Sequence, residues 1–231
     1  MSLTPPDAGP IPDAWLVIPL FNEAPVIEEV IAGALDTFPH IVCVDDASTD
    51  GSGTRAREAG AVVVTHPFNL GQGAALQTGI SYVLEATDAQ YVVTFDADGQ
   101  HRVQDAVDMV QRARDEDVAI VFGSRFLDKR TKPGLLRRVI LKGAVWLTNQ
   151  QTGLRLTDAH NGLRVIRRDA AEAITLQQNR MAHATEIVLQ LSRTKLPWVE
   201  HPVHIVYTDY SRSKGQSLMN SINILIDTIL K

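Results

Sequence analysis

Between residues 14 and 123, short apolar runs alternate with stretches whose apolar residues recur every three or four positions. The runs at 14–19, 41–44, 61–65, 91–95 and 118–122 are rich in Val and Ile and read as strands. Val26, Val30, Ile31 and Leu35 fall near helical spacing and predict a helix over 25–37. Further helices are predicted at 53–59 and 105–114, and a glycine loop at 69–74 leads into another that runs to about 84. Strand and helix in regular alternation predict an α/β fold: a doubly wound, mostly parallel sheet with helices on both faces.

The second half is less regular. Residues 134–149 predict a basic amphipathic helix, through Leu135, Leu136, Val139, Ile140, Val145, Trp146 and Leu147. A turn-rich segment, 157–162, precedes a short strand at 163–166. A helix is expected over 182–193 and a strand over 197–206, where Pro202 marks an edge or a bulge. A polar loop, 207–215, then leads to an amphipathic helix over 217–231. At the other end, residues 1–13 carry four prolines and little apolar content, and read as a flexible tail.

Composition narrows the class. A net charge of −5 argues against bulk binding to nucleic acid. Cys43 is the single cysteine and lies in an apolar run, as a core residue in a reducing compartment would. No run approaches the ~20 apolar residues of a spanning helix, and no secretory signal pattern opens the chain. The charge is unevenly spread. Arg125, Lys129, Arg130, Lys132, Arg137, Arg138 and Lys142 crowd between Gly123 and Gly143 against Asp128 alone. In an acidic protein, cations gathered in one segment suit an anionic ligand.

The chemistry concentrates where the strand at 91–95 ends. Asp96, Asp98 and Gln100 follow at i, i+2 and i+4, a spacing that on an extended strand end turns oxygen ligands to one side. Such a set suits a hard cation, Mg²⁺ or Mn²⁺, whose remaining ligands come from water and phosphates. The loops after the first, second and fourth strands add Glu23, Asp45 and Asp46. Ligands of doubly wound sheets bind at this edge. Five carboxylates there require cations or hydrogen-bond donors to offset them.

Taken together, 17–23 (VIPLFNE), 44–51 (VDDASTDG), Asn69-x-Gly71-x-Gly73-x-Ala75 and 96–101 (DADGQH) resemble the family 2 glycosyltransferases. With Gly123-Ser124-Arg125 and Ser213-Lys214, the resemblance is nearest to the polyprenyl-phosphate (dolichyl-phosphate) sugar transferases. It implies a GT-A fold over 14–216, with a nucleotide-sugar half at 14–123 and an acceptor half at 124–216. Pro19, Phe21 and Glu23 match the nucleoside loop, and Val44 with Asp46 the grip on the base. Asp96, Ala97 and Asp98 match the segment that meets the diphosphate, with Asp96, Asp98 and Gln100 as metal positions. Arg125 and Lys214 match cations near the phosphates. Two departures stand out: Gln72 where relatives often have Lys, and Thr208 where many have Arg.

The resemblance implies an inverting enzyme that moves one sugar from a nucleotide-sugar, with UDP preferred to GDP, to a polyprenyl phosphate. Glucose, mannose and N-acetylglucosamine all remain open as the sugar. Asp98 then serves catalysis through the metal. Arg125, Lys132, Arg137 and Arg138 are the expected contacts to the acceptor phosphate, which is already ionised and needs no strong base. Asp158 matches an acidic position near the acceptor, with positioning, a catalytic base and a structural cap as its possible roles. The protein is expected in the cytoplasm, peripheral at the inner face of the membrane. Its closing amphipathic stretch would lie on the bilayer, dock on a small separate membrane protein or form a homodimer. A family 2 enzyme acting on a hydroxyl acceptor, and a non-catalytic nucleotide-sugar-binding or scaffold protein, are the alternatives. The Gln-x-x-Arg-Trp motif of processive synthases is absent, and no Gly-x-Gly-x-x-Gly follows the first strand.

Overall fold

A computed structural model describes residues 9–127, 135–179 and 182–206, with backbone alone at 135–142 and 144. Four strands pair in parallel: β1 (Ala14–Leu20), β2 (Ile41–Asp45), β3 (Val62–Thr65) and β4 (Tyr91–Thr94). Three more complete the sheet: β5 (Ile120–Ser124), β6 (Arg164–Arg167) and β7 (Trp198–Pro202). The order is β3-β2-β1-β4-β6-β5-β7. β6 enters antiparallel between β4 and β5, and β7 runs parallel to β5 at the edge.

Both faces of the sheet are covered. Successive side chains of a strand point to opposite faces, so a central strand buried on both sides is apolar throughout. In β1, Leu16 and Ile18 join one core and Val17 the other. The first core is closed by α1 (Ile27–Leu35), α2 (Ser52–Glu58) and α4 (Val103–Asp115) through Ile27, Ile31, Ala56 and Met109. The second is closed by α3 (Gln72–Ala86), α5 (Leu135–Thr152), α6 (Arg168–Glu172) and α7 (His183–Arg193) through Leu76, Ile80, Val145, Ala170 and Ile187. Each fully buried Leu or Ile contributes roughly 1.5–3 kcal/mol.

The predicted doubly wound α/β fold is the observed one, and Pro202 does end an edge strand. The chain differs from expectation at its start. Ile11 is buried and its N–H donates to the Thr37 carbonyl, while Asp13 pairs with Arg114. Order therefore begins before residue 14. The strand expected over 197–206 closes at Pro202, after which Ile205 makes only an isolated bridge to His101. The amphipathic stretch 217–231, with the bilayer, partner or dimer contact expected of it, lies outside the described residues.

Candidate active site

The carboxyl ends of β1, β2, β4 and β5 and the start of β6 share one edge, and the loops leaving them are tied to one another. Asn22, Glu23 and Ala24 donate their backbone N–H groups to Ser48 Oγ, Ser52 Oγ and Asp50 Oδ2, at 3.0, 2.8 and 3.0 Å. Asn22 Oδ1 accepts from the Thr49 N–H in return. The turn needs left-handed backbone at Asn22 (φ 54°) and Ala47 (φ 62°), a conformation that Asn tolerates better than Ala. Pro19 and Glu23 are half-buried, and Phe21 is exposed at the rim.

Asp45 and Asp46 are buried beneath this latch, and their charge is offset by protein donors. Asp46 accepts from the Leu70 N–H at 2.8 Å, the Gly71 N–H at 2.7 Å and the His66 ring at 2.8 Å. The other ring nitrogen of His66 meets Thr78 Oγ1. Asp45 accepts from the Ser48 N–H. Asp46, expected to grip the base, thus has both oxygens engaged in holding the glycine loop to β2. The loop's glycines serve close packing. A Cβ at Gly71 or Gly73 would overlap the backbone carbonyl of Asn179 or Gln178, and the Gly73 N–H donates to Asn179.

The segment 96–101 departs from the extended geometry expected of it. β4 ends at Thr94, Ala97 and Asp98 form a turn, and Gly99 takes φ 72°. The turn brings Gln100 back onto Asp98: its N–H donates to Oδ1 at 3.0 Å and its amide nitrogen to Oδ2 at 2.8 Å. Gln100, expected as a third metal ligand, stands behind Asp98 as its hydrogen-bond support. Asp96 accepts from the buried His101 Nε2 at 2.8 Å and from Gln72 Nε2 at 3.3 Å. The two carboxyls differ in kind. Burial opposes ionisation of Asp96, but His101, with Arg164 and His183 nearby, outweighs it and holds the group below the usual range. Burial, then Asp96 and Glu23, push Asp98 up to about 6.

The segments after β5 and before β6 supply an ion pair whose carboxylate is buried. Arg125 follows β5 and forks onto Asp158, with Nε to Oδ2 at 2.6 Å and Nη2 to Oδ1 at 2.8 Å. Asp158, 2% exposed, also accepts from the Arg125 and His160 N–H groups. Burial opposes its charge, and Arg125 prevails, holding the carboxyl below the usual range. Glu200 of β7 accepts from the Thr157 and Asp158 N–H groups and braces this turn. His160 is pushed down to about 4 by burial.

Sequence reading did not single out four neighbours: His101, Arg164, His183 and Gly162. A Cβ at Gly162 would fall within 3.0 Å of every atom of the Asp96 carboxylate, so glycine here lets that carboxylate stand where it does. The available signals were the place of His101 at the end of the 96–101 motif and of Gly162 and Arg164 beside the Asp158 turn. Among the expected cations, Lys132 and Lys214 lie outside the described residues. Arg137 and Arg138 are on α5, where the backbone alone is described.

The profile described as "Glycosyl transferase family 2" matches residues 15–175. An uncharacterized protein of Methanocaldococcus jannaschii is 32% identical over 95% of this chain and 92% of its own. The UDP-N-acetylglucosamine–dolichyl-phosphate N-acetylglucosaminyltransferase of Methanococcus voltae is 27% identical over 91% and 92%. Among solved structures, glucosyl-3-phosphoglycerate synthase of Mycobacterium tuberculosis, in complex with Mg²⁺ and uridine diphosphate, superposes with a TM-score of 0.66. It is 18% identical, over 93% of this chain and 78% of that one, and so shares the fold.

Proposed function

The chain belongs to glycosyl transferase family 2, and from that premise we propose that it moves one sugar, with inversion, from a nucleotide-sugar to a polyprenyl phosphate at a membrane surface. The preferred donor is a UDP-sugar, held with Mg²⁺ or Mn²⁺. The name of the Methanococcus relative joins such a donor to such an acceptor, and the Mycobacterium enzyme binds Mg²⁺ and uridine diphosphate on the same fold.

Asp96 and Asp98 fit a hard dication by donor chemistry. Among the described residues no three His, Cys, Asp or Glu side chains converge on one cation. Asp96 and Asp98 would hold it, with water and the substrate diphosphate supplying further ligands. When bound, the metal offsets the negative charge that grows on the departing nucleoside diphosphate. The loop at 21–24, latched to 48–52, is pre-set for the nucleoside. His101 holds Asp96 ionised and oriented.

The observation that carries the phosphate acceptor is the state of Asp158. A general base works best with a pKa near the working pH and with a lone pair facing the proton it removes. Asp158 is held low, and both its oxygens are bound to Arg125. A phosphate acceptor arrives ionised and makes no demand for that proton transfer. Trp146, 64% exposed on α5, gives the same half an interfacial aromatic in a segment that also carries Arg137, Arg138 and Lys142. No helix among the described residues is long and apolar enough to cross a membrane.

The test is transfer from a panel of UDP- and GDP-sugars to a short-chain polyprenyl phosphate, with Mn²⁺ or Mg²⁺ and with EDTA. The expected result is a metal-dependent polyprenyl-phosphate sugar. Donor hydrolysis with no lipid product would discard the acceptor and favour a hydroxyl instead. A second check uses Gly162→Ala. The added methyl displaces the Asp96 carboxylate, and a shift near 1 Å is expected to lower kcat about 10²-fold while the protein stays folded. Wild-type kcat in this variant would mean that the site does not depend on where Asp96 stands.

A further inference from the structure

Arg164 is a buried arginine beside the site that takes no part in the chemistry proposed. It opens β6, in register with Thr94 of β4 and Phe122 of β5, on the strand where the acceptor half meets the donor half. Its exposure is 2%. Among the described residues its one side-chain hydrogen bond runs from Nη1 to the Gly162 carbonyl, at 3.4 Å. That carbonyl also accepts from Thr94 Oγ1 at 2.6 Å, and Gly162 itself presses on the Asp96 carboxylate. Burying a guanidinium is costly unless charge and hydrogen bonds compensate it. Hydrogen bonds compensate little here, so the neighbouring carboxylates must. Asp96 and Asp158 are the carboxylates whose charge acts on Arg164, Asp96 the more strongly; Asp158 is forked onto Arg125, whereas Asp96 is bonded to the His101 ring and the Gln72 amide and to no guanidinium, so Arg164 offsets chiefly Asp96.

We propose that Arg164 is a fixed counter-cation of the donor site. It balances Asp96 before substrate arrives, lowering the cleft's affinity for a bare divalent ion and raising its affinity for a phosphate oxyanion. The metal is thereby favoured together with a diphosphate rather than alone. Burial pulls Arg164 down to about 10, against the pull of Asp96 and Asp158, so it stays charged at neutral pH. The proposal rests on the metal site at Asp96 and Asp98, and its test is independent of transfer activity.

The sign of the expected effect separates this role from a structural one. Removing a buried unit charge beside a dication site, at an effective dielectric constant near 20, is worth about tenfold or more in affinity. Arg164→Met is expected to bind Mn²⁺ alone about tenfold more tightly than wild type, by electron paramagnetic resonance. It should bind inorganic pyrophosphate without metal about tenfold more weakly, by calorimetry. Arg164→Lys keeps the charge and is expected to match wild type in both. Arg164→Gln, which keeps a donor for the Gly162 carbonyl, serves as a second neutral variant if methionine disturbs folding. Mn²⁺ affinity unchanged or weakened in the folded neutral variants would overturn the proposal. Wild-type transfer, measured separately, bears on the function alone.

Discussion

Asp98→Ala is expected to lower metal-dependent sugar transfer by at least about 10³-fold, close to 4 kcal/mol of transition-state stabilisation. Among the described residues the Asp98 side chain is bonded only to Gln100, two residues away, so its removal disconnects no distant part of the described fold. It also removes one of two carboxylates that repel each other, the repulsion that with burial lifts Asp98 to about 6. The melting temperature should therefore hold steady or rise while activity falls. Initial rates at saturating donor, Mn²⁺ titration by electron paramagnetic resonance and thermal melts together check it. Transfer within tenfold of wild type would remove Asp98 from the mechanism. An intact rate with lost Mn²⁺ binding would remove the metal instead.

Much of the fold was legible because the features that determine it are local. Alternating apolar runs and helical repeats report burial over a few residues, and they placed β1 to β5 and the intervening helices. Asp96 and Asp98 stood out because they directly follow an apolar strand. The sheet order was not legible. β6 inserts antiparallel between β4 and β5, and the pairing of Thr94 with Arg164 joins segments far apart in sequence. Such contacts leave no mark on local periodicity. The same limit hid the partners of each charge. Nothing in the sequence around Asp46 says that His66 and the Leu70 and Gly71 amides will occupy its oxygens. An arginine within the short apolar strand β6 is, from sequence, as consistent with an exposed edge as with a buried site. Gln100 shows the converse: its spacing suggested a ligand, and a single glycine at φ 72° turned it into a support.

Asp158→Asn is expected to cost about 1–3 kcal/mol of stability at neutral pH, because it removes the buried carboxylate onto which Arg125 forks with two charge-assisted hydrogen bonds. The pH dependence identifies the cause. The folded-state carboxyl lies below its ordinary value, so the unfolded chain takes up the proton more readily. The pair's contribution is complete above the unfolded value of about 3.9 and fades as the pH falls through the lower folded value. Wild type and Asp158→Asn should therefore differ most near neutrality and converge in acid, as denaturant melts across the pH range would show. Kinetics then separate positioning from base catalysis. If Asp158 positions Arg125 for a phosphate acceptor, the loss falls chiefly on the KM for polyprenyl phosphate, and kcat keeps its wild-type pH profile. If Asp158 were a base, kcat would collapse by about 10²–10⁴-fold and the wild-type acidic limb would vanish. Arg125→Lys supplies the control. It keeps the charge but loses the two-pronged geometry, so it should fall between wild type and Asp158→Asn in both stability and acceptor KM. A wild-type acceptor KM in both folded variants would place the pair in the architecture of the acceptor half and outside its chemistry.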